Sequence, residues 1–182
     1  MDFGGGTIDL CLIRREQSNF EVGATHGIGL GGDHIDQVLF KKLLFPLLGK
    51  GERWKRAGED RELETMFPFA EYDDLLLHWA IRYMLIQNKF TTPLMQRINE
   101  KDEASIKFQR LYDMIKSNYS YLVFQCIKDL KAELSDKETA KLDISELVIE
   151  LDVSIDQFDV MIADLLNRFL QPISDVLDPG DL

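Results

Sequence analysis

Cysteine is scarce in this chain of 182 residues. The two cysteines, Cys11 and Cys126, are far apart in the sequence and each lies in an apolar stretch. We therefore expect two buried, reduced thiols, as is typical of a cytoplasmic protein, and a single disulfide is the less favoured alternative. A disulfide framework of the kind that supports small secreted domains is excluded by this count.

Long hydrophobic runs are also missing. The longest, Leu75 to Ile86, is interrupted by His78 and Arg82, so the sequence predicts no membrane span. The three histidines have no metal-ligand spacing with one another or with a cysteine, so we expect structural or solvent-facing roles for them. Apolar residues still make up 45% of the chain, which is enough for a hydrophobic core.

Positive charge is in short supply. The chain has 21 Lys and Arg residues against 32 Asp and Glu residues, which gives a formal net charge of −11 at pH 7. Such a chain repels the phosphates of nucleic acids and the headgroups of anionic membranes. We therefore expect neither nucleic acid nor a membrane as a partner.

Glycine is concentrated at the start of the chain, where Gly4, Gly5, Gly6 and Thr7 lie between Asp2 and Asp9. Three glycines without Cβ atoms let the backbone approach an anion closely, and a following apolar run from Ile8 predicts a strand. The pattern is a strand, a glycine turn and a strand, and it is neither a Walker loop nor a Rossmann turn. An ordinary glycine-rich hairpin is the alternative to a phosphate-binding one.

A second pair of glycines, Gly31 and Gly32, directly precedes Asp33 and a run with helical spacing of apolar residues. Asp33 suits the first turn of a helix. The pair is therefore either a tight loop or a second contact to phosphate at a helix N-terminus.

Further elements follow from periodicity and from breaking residues. The first glycine turn leads into two strands, and the chain after Gly32 alternates helices with a charged loop and a late hairpin. The expected ranges are strands over 7–14 and 20–25, helices over 33–49 and 73–87 and from Thr92, a helix over 108–134 with a bend at 118–120, a hairpin over 142–151, a helix from Ser154, and a loop over 50–64. Because only Met1 precedes Asp2 of the glycine motif, with no full strand before it of the kind that a phosphate-binding hairpin needs, we expect a piece of a longer protein.

In order and in motifs, the chain resembles the second lobe of the nucleotide-binding domain of DnaK-type heat-shock chaperones, and within them the divergent YegD-like branch. The residues that carry the likeness are DFGGGTIDL, GLGGDHID and KAELS, followed by the hairpin and the amphipathic helix. The resemblance implies an α/β fold, part of an actin-like ATPase lobe. Residues 1–49 and 152–182 would form the core, and residues 50–151 an inserted, mostly helical subdomain with a small β-hairpin.

For the first unit, the resemblance implies a site for ATP or ADP with Mg²⁺. The turn over residues 4–7 would wrap the β- and γ-phosphates, and Gly31 and Gly32 would touch phosphate from the other side. Asp2 and Asp9 would position magnesium-bound waters and the attacking water. Asp2, Thr7 and Asp9 are thus the expected catalytic residues, with Asp2 and Asp9 holding the metal through water.

For the inserted subdomain, the resemblance implies contacts from Lys131 and Ser135 to the adenosine. The chain departs from the family here, because Lys128 stands where a glutamate is usual and Ala132 where an arginine is usual. These changes remove a ribose acceptor and a plane that stacks on the base, so they put nucleotide affinity in question.

The function implied for the parent is ATP-driven binding and release of unfolded polypeptide, with co-chaperones or an exchange factor as further partners. We expect this chain alone to bind ATP weakly or not at all and not to hydrolyse it, since one lobe cannot close over the triphosphate. Two alternatives stay open: another actin-fold kinase, and a non-enzymatic actin-like scaffold or filament protein.

Overall fold

The computed structural model describes residues 2–16, 19–55, 64–78 and 82–177 and shows a mixed α/β protein. The strands are β1 (Asp2–Phe3), β2 (Ile8–Glu16), β3 (Asn19–Ile28), β4 (Arg53–Lys55), β5 (Glu64–Met66), β6 (Thr139–Ile144) and β7 (Ile149–Ser154). The α-helices are α1 (Gly32–Leu39), α2 (Ala70–Leu77), α3 (Asn88–Asn99), α4 (Ser105–Lys116), α5 (Ser120–Leu134) and α6 (Ile155–Leu177). Among the described helices, none has the length and apolar character needed to cross a membrane.

Two compact units divide the chain, and the first is discontinuous in sequence. It comprises Met1–Leu39 and Asp156–Leu182, and the second comprises Phe40–Ile155. The boundaries expected from the sequence lay after residue 49 and before residue 152. The segment after Leu39 belongs with the second unit because its aromatic side chains are buried there: the Phe40 ring stacks on Phe124 with centroids 5.1 Å apart.

The first unit is built on an antiparallel sheet in the order β1-β2-β3. β2 and β3 pair from Ile8 opposite Ile28 to Glu16 opposite Asn19, with an irregularity between Leu12 and Ile13. A small core forms where α6 meets this sheet, and its buried members are Ile8, Leu30, Leu165 and Phe169. Four partly buried apolar residues pack against it: Leu10, Ile28, Ile35 and Val38. The apolar stripe of α6 thus covers the start of the hairpin.

The second unit has an aromatic core. The Phe67 and Phe108 rings have centroids 4.7 Å apart, and the Tyr72 ring meets Phe90 at 5.3 Å. The buried Tyr72 hydroxyl donates a 2.7 Å hydrogen bond to the Phe90 carbonyl oxygen. Burial, followed by the charge of Glu71, raises the pKa of Tyr72 above its ordinary value, so the hydroxyl stays a donor.

The helix expected over residues 33–49 changes its winding along its length. α1 ends at Leu39, a π-helical turn covers Phe40–Leu44, and a 3₁₀ turn covers Phe45–Leu48. Pro46 lies in the first turn of the 3₁₀ segment, where its missing N–H leaves no hydrogen bond unmade. Gly49, with φ of 100°, ends the segment as expected.

Several other expectations meet the structure with mixed results. The bend near residue 118 is confirmed as a full break between α4 and α5, and the late hairpin is confirmed as β6 and β7. The helix expected over 73–87 begins and ends earlier as α2. Residues 79–81 of that range lie outside the described part. The expected loop over 50–64 contains β4, which pairs with β5.

Burial of the cysteines was also wrongly expected. Cys11 is exposed on β2, and Cys126 on α5 is only half-buried. Burial, helped by the carboxylates of Asp129 and Glu146, raises the pKa of the Cys126 thiol. In the described chain both thiols are free rather than joined in a disulfide.

Candidate phosphate-binding turn

The first glycine turn connects β1 to β2 and is closed by a single backbone bond. The Gly4 N–H donates to the Thr7 carbonyl oxygen at 2.8 Å. Gly5, Gly6 and Thr7 are exposed, and within the described residues their three backbone N–H groups donate no hydrogen bond. Consecutive unpaired amides at a glycine turn form a concave donor surface for an anion.

The start of α1 holds the turn in place through two backbone hydrogen bonds. The Gly32 N–H donates to the Gly4 carbonyl oxygen at 3.1 Å, and the Asp33 N–H donates to the Gly5 carbonyl oxygen at 2.7 Å. We call these two bonds the interlock. They point the carbonyls of Gly4 and Gly5 towards α1.

Gly31 is a glycine because the two loops approach so closely. A Cβ at this position would lie 2.4 Å from the Gly5 carbonyl oxygen and 2.7 Å from that of Gly4. No side chain fits there without moving one of the loops. Gly31 is buried in the structure, and its role here is to let two backbone segments meet.

The amides of the second glycine pair are already occupied in this structure. The Gly31 N–H donates to Nδ1 of His34 at 3.1 Å, and the Gly32 N–H belongs to the interlock. Direct donation from these two amides to phosphate, as the resemblance implies, requires this arrangement to change. The donors that face solvent are those of the turn itself.

Asp9 lies near the turn on β2. Its Cα pairs with Asp2 across β1 and with Gly27 across β3, and its side chain is exposed. A Cβ on Gly27 would lie 3.2 Å from Asp9 Oδ1, so the carboxylate rests over the bare backbone of β3. The expectation for the Asp2 side chain lies outside the described part of the structure.

The described acidic side chains at the turn do not form a closed metal cage. Among the described residues, no group of three or more His, Cys, Asp or Glu side chains could hold a metal ion directly. Magnesium bound to a nucleotide needs no such cage, because phosphate oxygens and waters supply most of its ligands. An exposed carboxylate such as Asp9 suits contact through water.

A further carboxylate borders the turn from α1. The Asp33 carboxylate lies 3.4 Å from the position that a Cβ on Gly5 would take. Asp33 is exposed, so its charge is screened by solvent. A bare anion in the turn would still meet this negative charge, whereas an anion that carries a divalent cation would not.

The expected adenosine residues lie in the second unit, on the last turn of α5. The Ser135 hydroxyl donates to the Lys131 carbonyl oxygen at 3.2 Å, so it satisfies a carbonyl at the helix end. Lys131 is half-buried, and both Lys128 and Ala132 are exposed. The residue types that depart from the family are therefore presented to solvent on this helix.

His34 is the residue that sequence reasoning did not assign to the site. Its ring accepts the hydrogen bond from the backbone N–H of Gly31, three residues earlier. The backbone N–H of His34 donates to the Gly31 carbonyl oxygen at 3.0 Å. A side-chain acceptor three residues after an unpaired amide is the pattern of a helix N-terminus, and it could have been read from the sequence.

Comparison with known proteins adds no assignment. No protein-family model matches the chain. No curated protein matches it significantly.

Proposed function

We propose that this chain is part of the nucleotide-binding domain of an ATP-dependent molecular chaperone of the DnaK type. The observation that carries the proposal is the run of three exposed amides at Gly5, Gly6 and Thr7, which donate to no other described residue. The interlock holds the carbonyls on the opposite side of the turn. Donors that are already oriented cost little to use when an anion arrives.

The charge around the turn favours phosphate in the company of a divalent cation. Asp9 and Asp33 bring negative charge to this end of the unit, and the chain as a whole carries −11. Magnesium, when bound, neutralises phosphate charge and orders water. The residues of this chain contribute amide donors on one side and, in Asp9, a carboxylate that fixes a metal-bound water or the attacking water.

The rest of the proposal comes from the resemblance alone. Lys131 and Ser135 would face adenosine, and the parent would couple ATP to the binding and release of unfolded polypeptide in the cytoplasm. Co-chaperones or an exchange factor would be its further partners. Hydrolysis by this chain alone is not expected.

The proposal predicts weak but localised binding of nucleotide. In two-dimensional ¹H–¹⁵N spectra, Mg-ADP or Mg-ATP should shift the amides of Gly5, Gly6 and Thr7 before any others. Gly6→Val should remove this response and leave the fold intact, because a Cβ on Gly6 meets nothing within 4 Å and enters the open space in front of the turn.

Gly29→Val is the matched control, since Gly29 is exposed in the same unit and its Cβ would also meet nothing within 4 Å. That variant should keep the response. If millimolar Mg-ATP leaves the turn amides of the folded wild-type chain unmoved, the phosphate role is wrong.

One observation favours the non-enzymatic alternative. The amides of Gly31 and Gly32 are satisfied by the protein itself, so the turn and α1 close on each other without a ligand. A degenerate actin-like scaffold would retain this packing after losing nucleotide. The same titration decides between the two, because a scaffold would give no localised shift.

A further inference from the structure

His34 accepts a hydrogen bond through its ring. Its Nδ1 lies 3.1 Å from the Gly31 backbone nitrogen, whose N–H donates to it. An imidazole nitrogen accepts a hydrogen bond only while it carries no proton. The side chain is half-buried, which keeps it against the loop.

This bond is the first of three successive amide contacts. The Gly31 N–H donates to His34 Nδ1. The next two amides, of Gly32 and Asp33, donate to the carbonyl oxygens of Gly4 and Gly5. Rotating the Gly31 peptide would disturb the interlock next to it. The orientation of the glycine turn therefore depends on the acceptor that His34 provides.

Protonation would turn that acceptor into a donor. Nδ1–H would then face the Gly31 N–H, and a cation would lie at the N-terminus of α1, where the helix dipole opposes positive charge. The acidic groups at this end of α1 are the exposed Asp33, whose carboxylate borders Gly5, and the buried Asp36. The turn over residues 4–7 contributes no titratable side chain.

We propose that His34 is a positioning residue for the glycine turn, and that it makes the interlock sensitive to pH. Its neutral ring holds residues 31–33 against Gly4 and Gly5, and its protonation loosens them. An effect of His34 on ATP binding at the turn rests on the function proposed above.

The test is amide hydrogen exchange on the full chain without nucleotide, expressed as protection relative to an unfolded chain at each pH. Ring ¹⁵N shifts report the protonation of His34 in the same sample. As the ring protonates, protection of the Gly31, Gly32 and Asp33 amides should fall by about tenfold, the effect of losing one ordinary hydrogen bond. The amides of the second unit should not follow this titration.

His34→Asn separates positioning from a general loss of stability. The Asn Oδ1 atom occupies the same place along the side chain as Nδ1 and accepts at every pH. This variant should keep the protection and lose its pH dependence, whereas His34→Leu should be unprotected at every pH. His78→Asn, at an exposed histidine of the second unit, should behave as wild type.

The proposal would be overturned if the exchange protection of these three amides did not change as His34 protonates, or if it still changed with pH in His34→Asn. Both outcomes can be read even if His34→Leu fails to fold. Adding Mg-ADP to the same samples tests the two proposals separately. If the exchange of these amides depends on His34 protonation but nucleotide does not shift the turn amides, the positioning role is supported and the nucleotide function is contradicted. If nucleotide shifts the turn amides but exchange does not depend on His34, the nucleotide function is supported and the positioning role is contradicted.

Discussion

Val148 occupies a backbone conformation that suits glycine. It has φ of 52° and ψ of 49° at the turn between β6 and β7, and it is 77% exposed. A Cβ in this left-handed region crowds the carbonyl oxygen, and a branched side chain makes this worse. Arg110 holds the turn in place: its Nε donates to the Leu147 carbonyl oxygen at 3.1 Å, and its Nη2 donates to that of Val148 at 2.8 Å.

Val148→Gly should therefore raise the free energy of unfolding by about 0.5–1 kcal/mol, because relief of strain exceeds the extra entropy that glycine loses on folding. Little buried area is lost at so exposed a site. Urea unfolding of the two proteins measures the difference. Val148→Ala keeps a Cβ in the left-handed region and should gain less, and a glycine variant less stable than wild type would contradict this account.

At single residues, the sequence predicts what depends on near neighbours. The turn at Gly4–Gly6 was predictable because its glycines and its strands are adjacent. The packing role of Gly31 was not, because it depends on the carbonyls of Gly4 and Gly5 at the far end of the β2–β3 hairpin. Cys11 was wrongly expected to be buried because its neighbours in the sequence are apolar. Alternation along β2 puts it on the opposite face of the strand from Leu10.

Among the elements, the helical segment that ends at Gly49 depends on one contact. Gly49 has φ of 100°, and a Cβ there would lie 2.6 Å from the Phe108 ring, which is fully buried. Gly51 has φ of 90°, but a Cβ there would meet nothing within 4 Å. The two glycines therefore share the backbone requirement and differ in the steric one.

Gly49→Ala should lower the free energy of unfolding by about 2–5 kcal/mol, the sum of left-handed strain and overpacking against an aromatic ring. Gly51→Ala should cost only the strain, about 1–2 kcal/mol. Thermal and denaturant unfolding of both variants gives the comparison. Equal losses would show that the Phe108 contact is relieved by a small movement.

Elements with a clear period were predictable, and those without one were not. Burial alternates at every residue of β6 from Thr139 to Ile144, and the sequence predicted this alternation from Leu142 onwards. The break between α4 and α5 falls at Asn118, whose φ is 56°. β4 and β5 were missed because their short, charged runs carry no period, and Trp54 of β4 is placed by its contact with Phe67, with ring centroids 5.5 Å apart.

For the whole molecule, the discontinuous first unit predicts a selective response to mutation of α6. Phe169 is 6% exposed in the core shared with Ile8 and Leu30, whereas the next residue, Leu170, is 58% exposed. Phe169→Ala should cost about 3–5 kcal/mol, and Leu170→Ala much less. Native-state hydrogen exchange should show the loss in β2 and β3 first, and an equal loss across Phe40–Ile155 would contradict the division into two units.

At this scale the sequence predicts composition and order better than boundaries. A chain with both helices and strands follows from the order of the periodic segments, and the insert between two parts of one unit was expected from the resemblance. The exact edge at Leu39 does not, because it depends on which aromatic rings Phe40 and Phe45 meet, and these are Phe124 and Phe69. Such partners are fixed by tertiary packing rather than by local pattern.

Because the first unit is discontinuous in sequence, its two parts are synthesised at different times. The hairpin of β2 and β3 is translated before the inserted unit, and the α6 residues that cover Ile8 and Leu30 are translated only after the whole of Phe40–Ile155. At ordinary rates of translation this delay is on the order of ten seconds. During that interval the nascent hairpin has no α6 partner for its apolar side chains, while the inserted unit can already fold. Newly made chains therefore pass through a stage at which their N-terminal strands are open to capture or to mispairing.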